Sequence, residues 1–521
     1  MDKSVLLTPM TRRENLWVGA FALFALILRI PLAFRPPVGI ARTYGDDAFY
    51  VLSVARNLAA GLGLTVDGHH LTNGFQPLIV LLYTPFFWLS GGDPWLAVRW
   101  TVVLNGLIAA ASVVVVASVA HAISGAKSQR QFTAPIIAAF LWSCSISLFH
   151  QTMNGLETSL YSLCLLGVLW WYIERPHYPV ILGVLLGLAT LARIDAALLA
   201  AIIVAFDFWH RRYQSGAVIG LMAFLISSPW WIYNVLYFGS MMPTSGQAGQ
   251  VWPSQIQDSI SRLIQTLENI ALVLGYLPDG LTLTERILAG LAIGAGILLV
   301  VWKTRVRQRL QESISVHKFL PFALFCGVLA IYYTFFFHFP HFITRYLQPL
   351  RILWLVLVAI SLPAILDAYA EATSIRRHVV GTLAAIFLLG SLAFCVNRYW
   401  AVYDKSRQME FYDMGQWAAN HPTDKIGMLQ SGLASFISPN VINLDGKVNA
   451  EALTTHIAGR LPRYIRNEKI LYIADWKPFI EDVSDMCRRD ELFFDSIGMV
   501  GRIQIMKRRD GITNEEVRIT N

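Results

Sequence analysis

The chain has little charge. Asp, Glu, Lys and Arg make up only 15% of its 521 residues, against 55% hydrophobic, and the mean hydropathy is +0.50. That balance excludes an ordinary soluble enzyme. Cysteine is scarce too. Cys144, Cys164, Cys326, Cys395 and Cys487 show no metal-ligand spacing, and all but Cys487 fall in apolar runs, so a disulfide framework is excluded. P-loop, HExxH and GxSxG motifs are missing, which argues against ATP-driven transport and the common hydrolases. Basic residues are not interleaved with aromatics, so the net charge of +8 is no nucleic-acid footprint. There is no internal repeat, low-complexity linker or coiled coil. No Asn-x-Ser/Thr acceptor occurs in the stretches placed outside the membrane below, which favours a bacterial membrane.

What is present is long apolar runs, each near the length a helix needs to cross the hydrocarbon layer. Spans are expected at 16–34, 95–122, 132–150, 156–173, 179–193, 195–209, 216–238, 281–302, 319–339, 345–366 and 379–396. The fold class is therefore a polytopic α-helical membrane protein of about 11 transmembrane helices, because helices are the spanning form these runs allow. The run 16–34 follows Arg12 and Arg13 and has no small-residue cleavage site, so it reads as a retained span.

Residues 78–89 are apolar but short, interrupted by Pro85 and ended by Gly91-Gly92-Asp93-Pro94; they read as a re-entrant or interfacial helix. Charge supports that choice. Lys127, Arg130, Arg175, Arg211, Arg212, Lys303 to Lys318, Arg376 and Arg377 share one side with Lys3, Arg12 and Arg13 only if 78–89 does not cross. By the positive-inside rule that side is cytoplasmic. Loops 36–94, 151–155, 239–280 and 339–345, and the tail, then face outward.

From residue 397 the composition changes. Short apolar strands at 426–430, 441–444, 470–474 and 502–506, with a helix at 450–466, predict a C-terminal α/β soluble domain over 397–521, after a transmembrane unit over 1–396. Asn443-Leu444-Asp445-Gly446 ends a strand, where a site can sit, although Asp-Gly is also a common turn pair.

The chemistry is expected around residues 36–77, a polar loop holding a short amphipathic helix. Asp46 and Asp47 stand at the mouth of that helix. One carboxylate there caps the helix, with Gly61 closing it; two adjacent carboxylates repel, so one titrates high and can act as a general base. Glu157, at the outer end of two spans, is either a helix-start acid or a cavity acid. Arg193 and Asp195 form either a local ion pair or an anion site. Arg345 either snorkels or holds a phosphate. His341, alone, and the loop pair His69-His70 read as structural or solvated. The turns Thr72-Asn73-Gly74-Phe75-Gln76-Pro77 and Met242-Pro243-Thr244-Ser245-Gly246-Gln247 can line a sugar pocket.

In order along the chain, Gly45-Asp46-Asp47-Ala48-Phe49-Tyr50, Thr72-Asn73-Gly74-Phe75-Gln76-Pro77-Leu78, Gly155-Leu156-Glu157-Thr158, Leu191-Ala192-Arg193-Ile194-Asp195 and Arg345-Tyr346-Leu347-Gln348-Pro349-Leu350 make residues 1–400 resemble the GT-C superfamily of integral membrane glycosyltransferases. In style the chain is similar to bacterial members of the protein mannosyltransferase and aminoarabinose-transferase type. The resemblance implies a polyprenyl-phosphate sugar donor, inversion at the anomeric carbon, and a glycan, lipid or protein acceptor. It implies Asp46 or Asp47 as base, Arg345 and Arg193 as ligands of the carrier phosphate, and Glu157, His341, Asn73 and Gln76 around the acceptor or a metal. Metal dependence stays open, since some members use a divalent ion and the ligand set here is incomplete. The expected setting is a bacterial inner membrane with the site on the periplasmic side and no nucleic-acid partner. The competing expectation is a flippase for lipid or lipid-linked sugar, which needs polar residues at mid-depth rather than at one face.

Overall fold

The computed structural model describes residues 9–124, 133–251, 319–336, 343–370 and 408–509. The expected spans 281–302 and 379–396, the boundary near 396 and His341 lie outside the described residues.

The chain opens with α1 (Arg12–Arg29), capped by Thr11 and Glu14 in a reciprocal capping box. A 3-10 turn, Ile30–Phe34, continues it. After α2 (Pro37–Thr43) comes α3 (Asp46–Ala59), the helix that carries the acidic pair. Gly45, not Asp46, is its N-cap, and no side chain bonds there, so the capping role expected for Asp46 on its own helix is not found. Both acids occupy the first turn, where the helix dipole favours them. Phe49, Val51, Leu52 and Val54 bury the rest of α3, and Gly61 follows its end with φ +78°.

Next are α4 (Pro77–Leu89), α5 (Pro94–Ser124), α6 (Ala134–Ser143) and α7 (Ile146–Thr152). Thirteen residues give α4 a length of about 20 Å. That is short of the roughly 30 Å hydrocarbon core. The run expected to span as 132–150 is not one helix: α6 and α7 meet at 66°, because Ser145 starts a new N-cap by accepting the N–H of Leu148. Then follow α8 (Thr158–Glu174), α9 (Pro179–Ala192), α10 (Ala196–Trp209), α11 (Tyr213–Phe238) and α12 (Thr244–Val251). Gly183 and Gly187, one turn apart on α9, let α11 approach closely: a Cβ on Gly183 would lie 2.7 Å from the Ile219 carbonyl oxygen. Helices Leu320–Phe335, Ile343–Tyr346 and Gln348–Ala370 complete this part.

Among the described residues three helices are long and apolar enough to cross a membrane, Arg12–Phe34, Pro94–Ser124 and Tyr213–Phe238, or four if the bent α6–α7 pair is one span. Several shorter apolar helices, including α9, α10 and Leu320–Phe335, accompany them. The outer faces stay greasy: Leu221, Phe224, Ile232 and Leu236 of α11 are exposed. A soluble protein would bury such a row; a bilayer solvates it.

The C-terminal part begins with helix Gln408–Ala419 and builds a five-stranded sheet from β1 (Ile426–Met428), β2 (Val441–Asn443), β3 (Tyr472–Trp476), β4 (Phe494–Val500) and β5 (Ile503–Arg508). Their order is β2-β1-β3-β5-β4. β1 runs parallel to β2 and β3, while β5 is antiparallel to β3 and β4. The four expected strands are there. The fifth, β4, was not expected: it is an edge strand exposed along most of its length, with a bulge between Ser496 and Gly498, so it carries no apolar alternation. The helix expected over 450–466 is two, Ala450–Ile457 and Leu461–Asn467, broken at Gly459 with φ +67°.

Candidate active site

The C-terminal part is bolted directly onto the acidic loop. The Asp46 carboxylate reaches away from its own helix and accepts the N–H of Gly432 (3.0 Å) and of Leu433 (2.8 Å), at the start of the short helix Gly432–Ile437. Arg56, on the same face of α3, donates to the Phe436 carbonyl at the other end of that short helix (2.7 Å). Between them the Tyr50 hydroxyl accepts the backbone N–H of Ser431 (3.0 Å) and the side-chain amide N–H of Asn443 (3.2 Å), and Phe49 packs on Phe436 with ring centres 5.3 Å apart. Gly432 is there because nothing larger fits: a Cβ would stand 2.1 Å from the Asp46 carbonyl oxygen. Burial pushes the Asp46 carboxyl up to about 6, with Asp47 adding to the rise and the two N–H donors and Lys447 opposing it. The adjacency argument thus found a high-titrating acid, though burial contributes more than repulsion.

Asp47, the neighbour, faces a cavity of about 310 Å³. Glu157, Gln76, Arg193, Asp195 and Arg345 face the same cavity, with Tyr50, Phe75, Tyr333, Tyr346 and Lys447. Acids and guanidinium groups separated by up to 300 residues in sequence therefore share one pocket.

Its back wall is an ion network. Arg193 ends α9 in an extended conformation, and its guanidinium lies between Glu157 (2.7 Å) and Asp195 (2.5 Å). Tyr333 donates to Asp195 (2.9 Å) and stacks on Tyr346 with centroids 4.9 Å apart; the Arg193 guanidinium sits 4.3 Å over the Tyr346 ring. The local ion pair read from Leu191-Ala192-Arg193-Ile194-Asp195 is real and has gained Glu157 as a third member. Arg345 also lies over Tyr346, 5.2 Å from the ring centre, and donates to its hydroxyl (3.4 Å). The loop before Glu157 is fixed by Gly155, whose φ of +74° and lack of a side chain let it press on the Tyr44 ring.

The front wall comes from three loops. Gln76 lines the cavity, but Asn73 does not: it is fully buried behind, joining the Asn234 side chain (3.2 Å) and the N–H of Thr244 (2.9 Å). Met242, Pro243, Ser245 and Gly246 supply the turn expected there. Lys447 was missed by the sequence reading, although it stands two residues past Asp445 in the strand-end turn that was singled out. Its ammonium is 3.1 Å from Asp445 and 3.9 Å from Asp47. Burial works against that charge, yet Asp445, Asp47 and Asp46 outweigh it and raise the lysine above its ordinary value. Tyr333 was missed too, and nothing in its apolar run marks it. His70, expected to be solvated, instead hydrogen-bonds Asp67 (2.6 Å) and lies 3.9 Å from Glu468 of the C-terminal part.

As for a metal, no group of three or more His, Cys, Asp and Glu side chains comes together among the described residues. Glu157 and Asp195 are both committed to Arg193, and Asp47 has an ammonium beside it. This donor set does not suit a divalent ion.

Apolar helices, the loop with Asp46 and Asp47, and a C-terminal sheet make up a fold that solved membrane proteins share. ArnT from Cupriavidus metallidurans, solved both bound to undecaprenyl phosphate and in the apo state, matches over 94% of this chain and 98% of its own, with TM-score 0.54 and 14% identity. The apo oligosaccharyltransferase of Archaeoglobus fulgidus matches over 96% of this chain and 75% of its own, with TM-score 0.56 and 13% identity. At those identities the likeness is one of fold. No protein-family model and no curated protein matches the sequence.

Proposed function

We propose that the protein is an inverting glycosyltransferase that moves a sugar from a polyprenyl-phosphate carrier to an acceptor hydroxyl at the outer face of a bacterial inner membrane. The shorter apolar helices complete a membrane unit of about 11 spans, and the C-terminal α/β part sits on the periplasmic side. The observation that carries this reading is the meeting of Asp47 and Arg345 in one cavity walled by aromatic rings. The fold supports it, since ArnT was solved with undecaprenyl phosphate.

In the proposed mechanism Asp47 is the base, because Asp46 already has both oxygens engaged by the N–H groups of Gly432 and Leu433. The Asp47 carboxylate takes the acceptor proton. The acceptor oxygen attacks the anomeric carbon from the face opposite the phosphate, and the bond from that carbon to the phosphate oxygen breaks. Arg345 meets the charge left on the lipid phosphate. Arg193, held by Glu157 and Asp195, is assigned chiefly to shaping the wall, and Gln76 to an acceptor or sugar hydroxyl. No step is routed through a metal.

The test uses membranes bearing the full chain, supplied with undecaprenyl-phosphate-linked sugars. Asp47→Asn is expected to lower transfer by about 10²–10⁴, the range for a lost general base. Full transfer by Asp47→Asn would overturn the assignment of the base. Movement of the donor lipid between leaflets without transfer would favour the flippase.

A further inference from the structure

Of the side chains that line the cavity, Lys447 is the single contribution of residues 408–509. It is held from both ends. Its carbonyl accepts the Thr244 hydroxyl (2.8 Å) and lies against Gly74, where an added Cβ would come within 1.8 Å of that oxygen. Its own N–H donates to Asp445 (2.9 Å), and the same carboxylate holds its ammonium at 3.1 Å. Asp445 is nearly fully buried at the end of β2, so it fixes the lysine rather than solvating it. The ammonium projects past Asp445 toward Asp47.

We propose that Lys447 is the residue through which the C-terminal part sets the charge state of Asp47, with Asp445 as its anchor. The inference rests on the reading of Asp47 as the base only for its catalytic meaning; the electrostatic coupling is independent of it. The groups around Asp47 decide the matter. Asp46 precedes it and repels it, Tyr50 follows one turn along α3, Arg345 attracts it, and Asp445 is a further carboxylate on the same ammonium. Lys447 is paired with it at 3.9 Å. A carboxylate placed beside a second carboxylate and partly withdrawn from water tends to keep a proton, and a protonated acid cannot take one from a hydroxyl. An ammonium nearby works the other way, favouring the charged form of a carboxylate. In a transfer cycle the acceptor proton would end on Asp47, and Lys447 would stay charged throughout. Lys447 is thus a positioning residue, joining the base to the sheet that caps the site.

Infrared titration of the purified full chain reads this with the proton as the probe. Subtracting Asp47→Asn from the wild-type spectra isolates the C=O band of protonated Asp47. In Lys447→Met the midpoint of that band should move up by about 1 pH unit, the low end of the effect of an opposite charge, since both side chains are partly exposed. Lys447→Arg should keep the wild-type midpoint. Lys447→Gln should move it as Lys447→Met does, and serves alone if Lys447→Met does not accumulate. An unmoved midpoint overturns the inference. So does weakened binding of undecaprenyl phosphate by Lys447→Met with the midpoint unmoved, which would make the lysine a phosphate ligand. A shifted midpoint in Lys447→Met together with full transfer by Asp47→Asn would retain the coupling and discard the base.

Discussion

Asp46 offers the sharpest test of how the C-terminal part is attached. Its carboxyl rises from an ordinary 3.8 to about 6 in the folded chain, first because of burial. A folded value above the unfolded one means that folding takes up a proton between those limits. The contribution to stability is full below pH 3.8 and is lost as pH climbs through about 6. A shift of about 2 units is worth about 3 kcal/mol at about 1.4 kcal/mol per unit. At neutral pH the protein thus carries a partly buried carboxylate at a net cost of about 3 kcal/mol, a figure in which the lowering by the Gly432 and Leu433 N–H groups is already included. Asp46→Asn removes the titration and keeps the shape. Its amide oxygen can hold one of the two N–H groups, while its NH₂ opposes the other. Thermal unfolding of both proteins from pH 4 to 7 gives the comparison. The wild type should lose ground to Asp46→Asn steadily as pH rises, by at most about 6 °C if each kcal/mol moves Tm by about 2 °C or less in a chain this long. Asp475, pushed up to about 7 first by burial and in part by Asp46, titrates in both proteins; without Asp46 it titrates lower in the variant, which adds to the same trend. A difference that stays flat across this window would refute the reasoning.

Two further substitutions probe the walls. Gly74→Ala places a Cβ 1.8 Å from the Lys447 carbonyl oxygen, so one wall must yield, at about 1–3 kcal/mol. Limited proteolysis should then cut the C-terminal part sooner and transfer should fall; wild-type behaviour in both would show that the loops do not press together. Arg193→Met strands the buried Glu157 and Asp195 without their cation and should cost about 3–5 kcal/mol in unfolding experiments. Adding Glu157→Gln should recover part of that loss, and a loss below about 1 kcal/mol would show that the network is not under tension.

The features legible in the sequence were those that leave a local mark. Asp46-Asp47 was visible because two acids follow a glycine at the head of an amphipathic helix, and α4 because Pro85 interrupts a short apolar run that Gly91-Gly92 ends. Glu157, Arg193 and Arg345 stood out because charge is rare among apolar runs. What stayed hidden was partnership. Asp46 reads locally as a cap for α3, yet it caps a helix almost 390 residues away, and no window of sequence holds both ends of that contact. Asn73 reads as a pocket residue because it sits in a polar turn, yet its carboxamide faces inward to Asn234 and Thr244. Gly74 and Gly432 look like turn glycines; their reason is the approach of another chain segment.

The distribution of charge in the cavity narrows where an anion can settle. Arg193 has two acids, and Lys447 has Asp445 on one side and Asp47 on the other. Each of these cations is matched or outnumbered, so bringing a phosphate to either means competing with carboxylates already at 2.5–3.9 Å. Arg345 donates to the Tyr346 hydroxyl and lies over its ring, and Glu157 and Asp47 are acids that act on it. In the proposed mechanism the lipid phosphate is met at Arg345, and the Asp47–Lys447 pair serves the acceptor. The same reasoning orders two substitutions: Arg345→Met should weaken binding of undecaprenyl phosphate more than Arg193→Met does, measured on purified protein at one salt concentration. The reverse order would mean that the phosphate displaces Glu157 or Asp195 from Arg193, and the back wall would then be the donor site.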